Sequence, residues 1–343
     1  MSTWETWRGL CLPFVKGPSL RENEQVLRKE REFKERCAKL IDDLDSIYRK
    51  AYDLGKPFFD PTTYDKLKIR CETLDLKDDG EYANGIPAPN FFDPFPLETL
   101  KNHQITPEDS ATKDYQNYEN IFDKTKEDDT SQVVSYRLMR HFGLFRRNGI
   151  PGRRGRLIDI TAWRQAEFPD FIQEYFMPGV YRQRGYSPSP AAWWEAQSTP
   201  LPHIMCIFEF YSFKGTEELL RGEILAILAT TITRLELECY QDEVVIPVLM
   251  FSIMSDYKAR IIQAFFNGDK LVIRKSMLYD FSTRATLSSS TTLFIQWMAS
   301  KPVGDTRGFT LEDFVPFEED DNIESSVKEE EEAAETENTA AAP

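Results

Sequence analysis

Residues 203–275 read HIMCIFEFYSFKGTEELLRGEILAILATTITRLELECYQDEVVIPVLMFSIMSDYKARIIQAFFNGDKLVIRK, and the fold turns on this stretch. Residues 203–213 have the short apolar character of a buried strand. Thr216 is placed to cap a long helix that carries Leu219, Leu220, Ile224, Leu225, Ile227, Leu228, Ile232 and Leu235. Residues 244–254 give a second buried strand. Strand, helix and strand in one sheet pack as a right-handed crossover, so these two strands should run parallel. Two more runs, 259–266 and 270–275, meet at Asn267-Gly268, the dipeptide that a tight hairpin turn favours. Within 259–266 both alternating faces are apolar, Ile261 and Phe265 on one, Ile262 and Phe266 on the other. A strand of that kind is covered on both sides.

Outward from this core, residues 290–299 read as a last helix. The segment 312–343 then holds 13 acidic residues against a single basic one, Lys328, for a net charge of −12 out of the −15 of the whole chain. So little apolar surface cannot offset the entropy of ordering, and the segment reads as a disordered acidic tail. Toward the N-terminus, residues 157–160 read as a strand. The first 150 residues are mainly helical in pattern. Ser19 and Glu22 have capping-box spacing ahead of a long helix. Its apolar stripe runs through Phe33, Cys37, Leu40, Ile41, Leu44, Ile47, Tyr48 and Ala51. The heptads fade before Phe33, which favours packing on the chain's own core over a coiled-coil seam. Asp60-Pro61 caps a short helix, and the Pro- and Phe-rich residues 86–95 read as an ordered loop laid across the core. Further helices are expected from Thr106, through Tyr115, Tyr118, Ile121 and Phe122, and from Ser131 through Val134, Leu138, Met139 and Phe142 to Gly143. The expected architecture is mixed α/β, a mixed β-sheet with helices on both faces. It divides into a helical region (1–150) packed on a sheet core (151–311), followed by the tail (312–343).

Several functional classes drop out on composition. Cys11, Cys37, Cys71, Cys206 and Cys239 form no close pairs, which reads as free thiols in a reducing compartment, cytoplasmic or nuclear. The first residues lack the order of a secretory leader, and the longest apolar run, 244–254, falls short of the ~20 residues of a membrane span. His103, His141 and His203 share no ligand spacing. Gly149, Gly152 and Gly155 lead from a helix into a strand, the reverse of phosphate-cradling loops, and read as a turn. Trp193-Trp194 reads either as the lining of a ligand groove or as a plug at the edge of the core.

The segment 132–167 stands apart. It holds eight arginines, no lysine, and only Asp159 and Glu167 as acids, a net charge of +6. Guanidinium groups grip carboxylate or phosphate in pairs of hydrogen bonds, so this usage points to an anion-binding surface. Arg146, Arg147, Arg153, Arg154 and Arg156 are the candidate contacts. An acidic protein partner or the chain's own tail is the expected occupant, with nucleic acid or a phosphorylated ligand as the other anions that suit it, and plain surface ion pairing as the reading without a ligand.

Asp159 and Glu209, the latter within CIFEFY (206–211) before the long helix, carry a resemblance. The layout after residue 156 resembles the PD-(D/E)XK nuclease-like core, and ARIIQAFFNGDKLVIRKSMLYDF (259–281) resembles fungal proteins of unknown function. The resemblance covers about residues 155–280. It implies that Asp159 and Glu209 hold a divalent metal, Mg2+, for phosphodiester chemistry. Tyr211 stands where that pattern has its lysine and Lys214 is out of step, so the resemblance implies a degenerate relative. The leading expectation is a non-catalytic intracellular binding protein that needs no cofactor, with the metal-dependent enzyme as the alternative.

Overall fold

The computed structural model describes residues 20–107, 130–167, 171–180, 188–197, 201–237, 240 and 243–307. All of them fall within one compact unit, Met1–Gly308. The expected tail, the helix expected through Tyr115 to Phe122, Cys11 and Cys239 lie outside the described residues.

In chain order the elements are α1 (Leu20–Asp53), β1 (Phe58–Phe59), α2 (Pro61–Lys66), β2 (Ile69–Thr73), β3 (Phe92–Asp93), α3 (Leu97–Asn102) and α4 (Thr130–Gly143). There follow β4 (Trp163–Gln165), β5 (Ser189–Ala196), β6 (Ile204–Lys214), β7 (Leu219–Leu220), α5 (Arg221–Leu235), β8 (Val248–Ser255) and β9 (Lys258–Phe266). The last are β10 (Leu271–Lys275), β11 (Tyr279–Asp280), α6 (Arg284–Met298) and β12 (Lys301–Pro302). The main sheet has the order β2-β10-β9-β8-β6-β5-β4, with β11 against β9. β6 and β8 are parallel around α5, as the crossover requires. β9 and β10 form the antiparallel hairpin, in which Gly268 takes φ +91 and the Asn267 side chain accepts from the amides of Asp269 and Lys270. The mixed sheet is thus as expected, with additions: β5 lies between β6 and β4, and β11 pairs with β9. β2 joins its edge parallel to β10.

Period-two alternation assigns the faces. On β6, Phe210 lies against Gly222 of α5, while Glu209 reaches Ser135 of α4. On β9, Arg260 reaches Glu223 of α5, while Phe265 packs on Phe91. On β8, Phe251 meets Phe294 of α6. Helix α5 therefore covers one face, and α4 with α6 the other. Past Arg221 every residue of α5 is buried, the mark of a helix enclosed on all sides. Its outer side is closed by α1, whose Leu40, Leu44, Ile47, Tyr48 and Ala51 are buried at the spacing the stripe predicts. Here α1 packs on its own core.

Three boundaries differ from expectation, each for a local reason. α5 begins at Arg221 rather than after Thr216, because the carbonyls of Thr216, Glu217 and Glu218 accept from the Arg260 guanidinium. Residues 157–160 form one turn of 3-10 helix, not a strand. The Asp159 carboxylate accepts the Arg156 amide three residues back and closes that turn; the strand starts at Trp163. α6 starts at Arg284, ahead of Ser290, since the Thr283 hydroxyl caps the amide of Thr286.

The 86–95 loop does lie across the core. Phe91 and Phe92 are buried, and Arg274 on β10 donates to the carbonyls of Ala88 and Pro89 at 2.8 and 2.7 Å. Beneath it His203 is fully enclosed, its ring 6.1 Å from that of Phe91 and 5.5 Å from that of Phe92. Nε2 lies 2.8 Å from the Val303 carbonyl, so the neutral ring donates there. Burial pushes this imidazole down to about 4, against the hydrogen bond to Val303. In the unfolded chain it titrates near 6.5. The unfolded state therefore binds the extra proton first, and the stability that neutral His203 contributes is lost as pH falls from about 6.5 through about 4. The loss should approach about 3 kcal/mol by pH 4. Urea unfolding of the wild type and His203→Gln between pH 7 and 4 checks this. Parallel curves would remove His203 as the cause.

Candidate anion-binding site

Helix α4 and the turn after it position the arginines. Val134, Leu138 and Phe142 face the core, which leaves Tyr136 and Arg140 on one flank and Arg137 and His141 on the other. The chain then reverses through Gly149, Gly152 and Gly155, with φ of +74, +98 and +56. At Gly155 an added Cβ would stand 3.1 Å from the Ile150 carbonyl, so glycine is needed for the turn itself. The reversal sets Arg156 beside Arg146 in a β-bridge.

A cleft of about 530 Å³ opens where α4, the 3-10 turn and the β4–β5 edge meet. Arg140, Arg156 and Arg164 line it with Tyr136, Trp194 and one acid, Asp159. Each arginine is held in place. Arg140 stacks over the Tyr136 ring at 4.3 Å. Arg156 donates to Asp159 at 2.6 Å and to the Gly143 carbonyl at 3.2 Å. Arg164 pairs with Glu195 at 2.8 Å, and the other oxygen of Glu195 takes the buried Arg234, also at 2.8 Å. The hydrogen bonds from Arg156 hold the Asp159 carboxyl below its usual range. Trp194 is buried and meets Phe142 edge-on, while Trp193, on the opposite face of β5, stacks on Phe171. Trp194 thus lines the groove, and Trp193, half-buried, packs at the edge of the core.

The five candidate contacts divide. Arg146, Arg153 and Arg154 are exposed on the turn, and Arg156 lines the cleft. Arg147 is not a surface contact. It is 6% exposed and donates to the carbonyls of His103 and His141 at 2.9 and 3.0 Å, tying the turn to α3 and α4. Arg140 and Arg164, the cleft's other two cations, were visible only as members of the arginine run.

The structure gives Asp159 and Glu209 separate partners. Asp159 sits on the 3-10 turn, clamped by Arg156. Glu209 is buried on β6, where its two oxygens accept the hydroxyls of Ser135 and Tyr211. Tyr211 stands in the place of the resemblance's lysine and donates to one of these oxygens. Among the described residues no three His, Cys, Asp or Glu side chains gather as ligands, and no helix is long and apolar enough to cross a membrane. No family model matches the chain, and neither a curated protein nor a solved structure is significantly similar to it.

Proposed function

We propose that this protein is a non-catalytic intracellular binding protein whose arginine-lined cleft takes an acidic segment of a protein partner. The observation that carries this reading is the cleft itself, where Arg140, Arg156 and Arg164 stand around a space of about 530 Å³ beside Tyr136 and Trp194. Held guanidiniums favour carboxylates, which they grip in pairs, and the aromatic walls accept the apolar part of a side chain. The exposed Arg146, Arg153 and Arg154 extend the positive field and speed encounter rather than fix the pose. Residues 312–343, with a net charge of −12, lower the affinity for any added polyanion through charge alone.

The test is titration of a fluorescent polyglutamate peptide into wild type, Arg140→Gln/Arg164→Gln, and a chain ending at residue 311. The double variant should bind about tenfold more weakly at low salt. The shortened chain should bind more tightly, an advantage that fades as salt rises. Equal binding by wild type and double variant sinks the proposal. A single-stranded oligonucleotide bound more tightly than polyglutamate would move the partner class to nucleic acid.

A further inference from the structure

The other flank of α4 faces a separate, smaller cleft of about 240 Å³, between α3, α4, α6 and the arginine turn. Lys101 and Gln104 enter from the α3 side, Arg137 and His141 from α4, Arg147 from the turn, and Ser288, Thr291 and Thr292 from α6. Its described lining holds no carboxylate. Three features make this more than a solvated basic patch.

The first is Arg147. Both its terminal nitrogens go to backbone carbonyls, its Nε is buried with no hydrogen-bond partner, and no described ion pair neutralises it. A buried cation without a counter-charge is costly. Burial pushes it down to about 10, with no opposing charge to hold it up. The second is His141, held well below its ordinary value by burial and by the charges of Arg137 and Arg147. The third is the α6 wall of hydroxyls. Thr291 accepts from Arg137 Nε at 3.0 Å, and both residues line the cleft. Lys101 pairs with Glu98 at 2.8 Å, but both are largely exposed and such pairs are weak, so the ammonium is free to turn inward.

We propose that this cleft binds one small phosphate-type oxyanion, either inorganic phosphate or the phosphoryl group of a small phosphomonoester. Its volume lies below the ~300–1,000 Å³ of pockets for drug-sized ligands, so a single tetrahedral anion with a few waters suits it. The anion supplies the counter-charge that Arg147 lacks and accepts from Arg137, Lys101 and the Ser288 hydroxyl, since the hydroxyls of Thr291 and Thr292 donate to the carbonyls of Leu287 and Ser288. This site is independent of the larger cleft, which shares α4 with it but none of these residues.

Calorimetric titration at constant ionic strength, with sodium phosphate, glycerol 3-phosphate and sodium acetate as separate ligands, provides the test. Wild type should bind phosphate or glycerol 3-phosphate one to one, and acetate far less well. The tighter of the two identifies a free anion or an esterified phosphoryl group. Arg147 supports the turn, so the informative variants are Lys101→Ala and Arg137→Gln, each expected to weaken binding about tenfold. Arg140→Gln/Arg164→Gln should bind phosphate as wild type does, which separates this site from the proposed function. No saturable heat with either phosphate ligand up to about 10 mM, a concentration above any Kd of interest, overturns the proposal. So does unaltered affinity in both informative variants.

Discussion

Replacing Arg260 with Met is expected to cost about 3–5 kcal/mol of folding stability. Arg260 on β9 and Glu223 on α5 are both wholly enclosed and pair twice, Nε to Oε1 at 2.8 Å and Nη2 to Oε2 at 2.5 Å. The remaining valences of the pair are also used. Arg260 donates to the carbonyls of Thr216, Glu217 and Glu218, and Glu223 accepts the Leu220 amide at 2.8 Å. The single variant keeps a buried carboxylate with one amide for company and strips three carbonyls of their donor. Removing both charges is a different matter. Arg260→Met/Glu223→Leu should recover at least half of the loss, because a well-packed apolar pair is often no worse than a buried ion pair. Urea unfolding of the two single variants and the double variant measures the coupling. A loss below about 1 kcal/mol for Arg260→Met would show that water reaches the pair.

Ile262→Asp should leave the chain largely unfolded at room temperature. Ile262 is wholly buried on the face that α5 covers, with Met250 and Lys275 as its register partners on β8 and β10. The change removes a branched aliphatic side chain, about 2–5 kcal/mol on truncation alone, and buries a carboxylate whose register partner Lys275 is already engaged by Glu217. Together these match the 5–15 kcal/mol that typically separates folded from unfolded domains. Ile262→Val, expected to cost about 1 kcal/mol, is the control. Circular dichroism and urea midpoints of the pair decide the matter, and near-native stability of the Asp variant would mean that this face is open.

The parts of the fold that the sequence makes legible are those where neighbours in the chain are neighbours in space. The β9–β10 hairpin follows from two apolar runs and Asn267-Gly268, and the β6–α5–β8 crossover from two buried runs around a helix. β5 was hidden because Pro188 and Pro190 mimic a loop. The structure places Pro190 at a register shift, the kind of strand position that tolerates proline. The five residues of β2 carry too short a pattern to reveal a partner far away in the chain. The arginine site was legible as a region and not as a geometry. Helical spacing separates Arg140 from Arg137, but the burial of Arg147 comes from the carbonyls of His103 and His141, which only the folded turn brings to it.

The pairing of β2 with β10 also sets a timetable. Arg274 on β10 hydrogen-bonds Glu72 on β2, a separation of 202 residues. At the ~5–20 residues per second of protein synthesis, β2 waits about 10–40 s for the strand it needs. Throughout that interval Ile69, buried at the end, has no permanent neighbour on β10. The β9–β10 hairpin, made from adjacent residues, can form almost as soon as it leaves the ribosome and offers its outer edge to the waiting strand. The two ends of the sheet are therefore joined late, and a nascent chain that stalls before Leu271 exposes an unpaired strand to its neighbours on the same message.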